Sequence, residues 1–291
     1  MRKDPLGLAI RVGFYAVLYF AIGFALDPPL RWVGGEFAGA TAAVFLSAVF
    51  AGWLTLRIYE NRPLVDLGLW LNRASADNLL FGLAGGAGAA CLVLAPPLAT
   101  GAAHLARLHP ASVSGVLFTI FFLAVGSAGE ELFFRGYGFQ LLLARLGPYA
   151  TIVPVAVVFG LLHSANPNAT WLGVANTAGF GIVFGYAYLR SRDLWLPIGL
   201  HFGWNFTLPL FGASLSGIRM ITEVTGHEMM WTAGKLWSGG EYGPEASVLT
   251  SGVMILLFAY IWKAPVRRQP SPLTDPPAES AACEPSSPSP L

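Results

Sequence analysis

The chain has 291 residues, 17 Lys and Arg against 16 Asp and Glu, and a formal net charge of +1. Hydrophobic residues make up 55% of it and charged ones 11%, with a mean hydropathy of +0.59, whereas a soluble domain carries about 25% charged residues. That composition belongs to a membrane protein; with no basic patch to track phosphates it excludes a nucleic-acid binder, and Cys91 in an apolar run and Cys283 in a polar tail imply no disulfide framework.

In chain order, an apolar run from Gly7 to Leu26 is long enough to cross ~30 Å of hydrocarbon at 1.5 Å per residue. It reads as a retained first helix rather than a cleaved signal peptide, because it is long for such a segment and no clear cleavage site precedes Asp27-Pro28-Pro29. A second span covers Phe37 to Leu56, a polar connection runs from Arg57 to Asn78, and a third span follows from Leu79 to about Gly101. Gly82 and Gly86, four apart on it, suit close helix packing rather than a nucleotide loop. The fourth span opens near Val113 and is expected to continue to about Leu146 with a bend near Gly136. The fifth covers Tyr149 to His163, the sixth Trp171 to Leu189, the seventh Leu194 to Gly212 and the eighth Val248 to Trp262.

The expected fold is therefore an all-α polytopic bundle of about eight membrane-spanning helices. Its parts are two N-terminal helices over 1–56, a core over 57–263 with an outer loop at 213–246, and a Pro/Ser-rich tail over 264–291, too poor in apolar residues to fold alone. With eight spans both termini lie on one side, and leaving out Arg11, which lies within the first span, the Lys and Arg excess on that side is 12 to 4, which places both termini in the cytoplasm and the protein in the cell membrane as a multi-pass chain. The lipid bilayer is its first partner.

Within this apolar chain the segment Gly129-Glu130-Glu131-Leu132-Phe133-Phe134-Arg135 stands apart. An ionisable side chain near the bilayer centre costs roughly 2.5–3.5 kcal/mol on insertion scales, so such groups face a protein interior or a wet cavity and carry function. Glu131 and Arg135 are spaced i, i+4 and share a helix face, where an ion pair lowers the cost of burying both; Glu130 is rotated about 100° away. Phe159 and His163 have the same spacing in the fifth span, as do His201 and Asn205 in the seventh. Taken alone, the first cluster could be a polar knot that holds the fold. Joined by two membrane histidines and an Asn, it makes a constellation. A carboxylate in a low-dielectric pocket can serve as general base for water, a His can share the proton, and a His/Asn pair can stabilise an oxyanion. The same groups could hold a zinc ion through Glu130, His163 and His201.

The order Glu130-Glu131-x-x-x-Arg135, Phe159-x-x-x-His163, His201-x-x-x-Asn205 on successive helices resembles the type II CAAX prenyl endopeptidase family, the CPBP or Abi group of intramembrane proteases. The stretch Asn61-Arg62-Pro63-Leu64-Val65-Asp66-Leu67-Gly68-Leu69 is similar to one that precedes the core of bacterial members. The resemblance covers roughly Arg57 to Gly212 and implies an α-helical membrane fold and endopeptidase chemistry. It implies Glu130 as the water-activating acid, His163 as its partner, His201 and Asn205 as the oxyanion pair, and Glu131, Arg135 and Phe159 as supporting residues. It favours a metal-free glutamate mechanism over a zinc-dependent one, and a hydrophobic or lipidated peptide as substrate.

Other protease classes fit less well. His227-Glu228-Met229-Met230-Trp231 begins like a zinc H-E-x-x-H motif but ends in Trp. Ser214 has no histidine in the eighth span to activate it, and no aspartate lies within a span, Asp193 standing just before the seventh. The chain's own end is not a CAAX box, since Cys283 stands too early. The alternative from another class is a non-catalytic scaffold or bacteriocin-immunity-type protein that uses the polar pocket for binding; a transporter is disfavoured because no inverted repeat is evident.

Overall fold

The computed structural model describes residues 4–220 and 226–275. Five helices are long and apolar enough to cross a membrane by length and composition, and the all-α architecture follows from them. Helix α1 spans Pro5–Tyr59 and is broken at Gly35, whose φ of 79° and ψ of 171° are non-helical. The break folds α1 into a hairpin: Arg11 Nη1 donates to Glu60 Oε1 at 2.8 Å, and Phe14 packs edge-on against Tyr59 at 5.7 Å. The first two expected spans are thus its two arms, with Asp27-Pro28-Pro29 inside the first arm rather than at its end. A left-handed φ favours Gly35 at this bend, because any other residue there carries Cβ strain.

Helix α2 spans Arg73–Thr100 and is capped by Asn72, whose side chain accepts from the Ser75 amide. Helix α3, Val113–Arg135, and α4, Tyr137–Leu146, meet at Gly136, where a Cβ would lie 2.0 Å from the Leu132 carbonyl oxygen. The fourth span does continue to Leu146 with its bend at that glycine. Helix α5 spans Pro148–Leu162, α6 Trp171–Ser191 and α7 Trp195–Leu210; the single turn α8 spans Lys235–Ser238, and α9 spans Val248–Lys263. With 16 residues each, α7 and α9 are only about 24 Å long, shorter than the ~30 Å hydrocarbon layer.

Helices α2 and α7 run side by side in the same direction at the centre of the bundle, and small residues let them touch. A Cβ on Gly82 would meet the Leu196 carbonyl at 2.4 Å and one on Gly86 the Leu200 carbonyl at 2.0 Å, whereas Gly88 faces open space. Because backbone stands at both contacts, the helices must separate to admit any side chain. Gly86→Val is expected to lower stability by about 1–3 kcal/mol as an overpacked contact, with Gly88→Val near neutral, as thermal melting in detergent would register. Equal melting of the two would contradict this contact.

The bundle has two distinguishable ends. One carries Pro5, Tyr59, Arg73, Gly147 and Lys263; the other carries the Gly35 bend and a two-stranded antiparallel sheet of β1, Ala103–Arg107, and β2, His227–Trp231. This sheet was not foreseen. It pairs Ala103 with Trp231 and Arg107 with His227, a closure between loops that no local periodicity announces. The presumed polar loop around β2 is likewise packed, with Leu215, Met229 and Tyr242 buried.

At the first end, the expected disorder beyond Lys263 does not hold for 264–275. The Asn78 side chain donates to the Arg267 carbonyl and accepts from its amide, Gln269 bonds Asn72 and Ser75, and the Tyr188 and Ser271 hydroxyls meet at 3.2 Å. Asn78 also donates to Asp193, whose carboxyl burial pushes up to about 6 against its hydrogen bonds. A segment of low hydrophobicity is held here by satisfied polar groups rather than by apolar area. Residues 276–291, the rest of the anticipated tail, lie outside the described residues.

Candidate active site

Each polar side chain of the first motif has a distinct setting on α3. Arg135 and Glu131 are both fully buried, with Arg135 Nη1 donating to Glu131 Oε1 at 3.1 Å. Arg135 Nη2 donates to the Gly181 carbonyl at 3.0 Å, and its guanidinium lies 5.0–5.6 Å from the rings of Phe159, Phe184 and Phe134. A planar cation suits such a site, since it pairs in one plane and stacks on aromatic faces. Glu131 Oε1 has a second partner, His201 Nδ1 of α7, at 2.9 Å. The spacing within α3 announced the ion pair; the cross-helix bond to His201 had no local signal.

Glu130 faces away, as the 100° rotation requires, into a cavity of about 600 Å³ that His163, His201 and Asn205 also line. Its Oε2 stands 3.8 Å from His163 Nε2 and 3.9 Å from His201 Nε2. That oxygen is buried and has no hydrogen-bond partner among the described residues. His163 opens the short 3-10 turn after α5, and its Nδ1 lies 2.8 Å from the Phe159 carbonyl, one of the free acceptors at a helix C-terminus. A carbonyl only accepts, so His163 carries its proton on Nδ1 and turns Nε2 toward Glu130. Glu131 imposes the same on His201. Both rings are therefore oriented by their second nitrogen. Phe184 stacks on His201 at 4.9 Å, and Phe159 lies 4.7 Å from the His163 ring.

The chain path explains why Glu130 and His163 share a depth. Glu130 lies 17 positions before Gly147 and His163 lies 16 after it, so α4 carries the chain out as far as α5 brings it back. Counted from the ends of α3 and α5 alone, the two would have stood at different levels.

Several cavity residues escaped sequence reasoning. Glu245, in the segment before α9, accepts from Trp204 Nε1 at 3.1 Å and from the Ser216 hydroxyl at 2.9 Å, while its own carbonyl accepts from Asn176. It ties the 213–246 segment to α7 between His201 and Asn205. Arg31 and Glu36, beside the α1 bend, and Ser127 also line the cavity. No spacing links Arg31, Glu36 or Glu245 to the three motifs, whereas Ser127 stands i, i+3 from Glu130 on α3. Among the described residues no cluster of three His, Cys, Asp or Glu side chains is arranged to hold a metal ion. In the zinc alternative Glu130, His163 and His201 would be the ligands, yet their N to O separations of 3.8 and 3.9 Å exceed the ~3.3 Å edge of a tetrahedron with ~2.0 Å bonds.

No curated protein matches the chain. Residues 110–207, which carry all three motifs, match the Rce1-like family, described as type II CAAX prenyl endopeptidase Rce1-like.

Proposed function

We propose that this multi-pass membrane protein is an intramembrane endopeptidase in which Glu130 activates water for attack on a peptide carbonyl. The observation that carries this reading is the buried Glu130 Oε2, without a hydrogen-bond partner among the described residues, facing two imidazole Nε2 atoms at 3.8 and 3.9 Å. Such a gap is closed by one bridging water, and a general base acts through a hydrogen bond of about 2.6–3.2 Å to the proton that it takes. The match of 110–207 to a peptidase family supports the reaction class.

The roles follow from the proton positions. Glu130 takes a proton from water, and the nucleophile adds to the scissile carbonyl. His163, with Nε2 free, accepts or relays that proton toward the leaving amine. The developing oxyanion needs donors, and Asn205 supplies an amide N–H. His201 can donate from Nε2 only as an imidazolium, because its Nδ1–H is directed at Glu131; the Glu131 carboxylate balances that charge. Arg135 and Phe159 position Glu131 and His163.

A binding-only scaffold would need neither the aligned imidazoles nor an unpartnered carboxylate oxygen beside them. Comparing peptides in membranes that hold the wild-type chain or Glu130→Gln tests the reading: fragments that vanish with the variant support proteolysis, and unchanged profiles with normal protein levels sink it. Cleavage is also expected to persist in a strong chelator such as 1,10-phenanthroline, with less than a twofold change. Loss on chelation and recovery on adding zinc would replace this mechanism with the zinc one.

A further inference from the structure

We propose that Glu245 is a positioning residue of this site: it pins the turn Leu215-Ser216-Gly217-Ile218 to α7, so that the Ser216 hydroxyl oxygen accepts a backbone N–H of the bound peptide. The peptide contact rests on the peptidase reading; the pinning of the turn does not.

The turn is tight. The Leu215 and Ile218 backbones exchange hydrogen bonds of 2.9 and 2.8 Å, and the two residues between them both have positive φ, 50° at Ser216 and 83° at Gly217. That is the type I′ arrangement, whose central positions favour Asn and Gly because other side chains are strained there. Gly217 meets the requirement and is wedged in place: its amide donates to the Tyr242 carbonyl at 2.8 Å, and a Cβ on it would lie 1.9 Å from the Pro167 carbonyl oxygen. Ser216 does not meet it. A non-glycine residue in the left-handed region persists where its surroundings over-determine it, and such residues cluster at functional sites.

Glu245 supplies that constraint. Its side chain is buried; Oε2 accepts from both the amide and the hydroxyl of Ser216, and Oε1 accepts from Trp204 Nε1. Trp204 precedes Asn205 on α7 and packs on Phe180 at 4.6 Å, so one carboxylate joins the turn to the helix that carries His201 and Asn205. Leu215, Ser216, Ile218 and Glu245 all line the cavity that holds Glu130. They lie beyond the matched residues 110–207, so this wall is independent of the three motifs.

The count of donors and acceptors gives Ser216 its role. A carboxylate only accepts, so the Ser216 hydroxyl proton is committed to Glu245 and its oxygen is left as an acceptor. The Tyr242 hydroxyl, buried close by, makes no hydrogen bond among the described residues and leaves that oxygen open. Asn205 offers a donor to a peptide carbonyl, and Ser216 offers an acceptor to a peptide N–H. Together they hold an extended backbone in one direction whatever its side chains, while Leu215 and Ile218 meet the side chains and select among them.

The test uses the full chain with Ser216→Gly or Glu245→Gln, and Glu130→Gln as the inactive reference. Glycine adopts the positive φ and keeps the amide bond to Glu245 but lacks the hydroxyl, so melting in detergent is expected at or above the wild-type value. With the membrane protein whose Glu130-dependent fragments are most abundant as the probe, KM is expected to rise about fivefold to tenfold, the effect of one neutral hydrogen bond, with kcat within threefold. An unchanged KM, or a fall in kcat alone, overturns the peptide contact. Glu245→Gln replaces an acceptor oxygen with a donor beside Ser216 and Trp204. Hydrogen–deuterium exchange in detergent is expected to quicken at least tenfold over 214–218 and to stay within twofold over 113–135. The Glu130-dependent fragments are expected to change in relative amount, whereas a loss of stability alone lowers all of them by one factor. Exchange over 214–218 as slow as in the wild type, or a uniform fall of the fragments, overturns the positioning role. If exchange quickens and no fragment depends on Glu130, the peptidase reading has failed and the peptide contact with it, while the hold of Glu245 on the turn stands.

Discussion

Glu130→Gln is expected to reduce peptide cleavage about 10³-fold while leaving melting within ~1 kcal/mol of the wild type. The amide keeps the size and much of the hydrogen-bonding capacity of the carboxylate but cannot accept a proton, so the loss reports general-base catalysis, which contributes typically 10²–10⁴-fold. Stability should change little, because Glu130 is the one acid of the motif that is not tied into the bundle: its side chain is 30% exposed, against 0% for Glu131. The turnover number should fall far more than KM changes, since the lost contact is to water in the transition state and not to bound peptide. Activity within tenfold of the wild type would remove Glu130 from the mechanism.

Arg135→Ala should instead act on the fold. It leaves Glu131 buried without its cation, and breaking a fully buried pair from one side costs about 3–5 kcal/mol. The Gly181 carbonyl loses its donor as well, and the three rings around the guanidinium lose their central contact. A paired replacement separates charge from function. Arg135→Met with Glu131→Leu removes both charges and fills the space, so melting should recover most of the loss. Activity should not recover, because His201 Nδ1 has lost the carboxylate that fixes its proton and orientation. Recovery of both would assign Glu131 a structural role alone. Equal melting of Arg135→Ala and wild type would mean that the ion pair contributes nothing to stability.

These two residues also mark where sequence reading ends. The i, i+4 spacing of Glu131 and Arg135 is a property of one helix, and a close ion pair is what that spacing yields. The bond from Glu131 to His201 joins positions 70 apart and depends on how α3 and α7 cross. Likewise the spacing of Phe159 and His163 brings a ring beside a ring, but the use of the Phe159 carbonyl as the acceptor for His163 Nδ1 depends on α5 ending there.

The amino-acid sequence determined the membrane class, the helical segments, the bend at Gly136 and the close packing at Gly82 and Gly86, because hydropathy, helical period and the missing Cβ act over a few residues at a time. It also singled out the polar side chains, since each is costly in an apolar chain. Only the tertiary structure decided that α1 is a hairpin bent at Gly35, that β1 pairs with β2, that Glu245 clamps α7, and that 264–275 lies bonded across the ends of α2 and α6. It also decided that the nearly equal lengths of chain before and after Gly147 bring Glu130 and His163 to one level. Those features join residues far apart in the chain, and such contacts depend on the complete packing rather than on any local pattern.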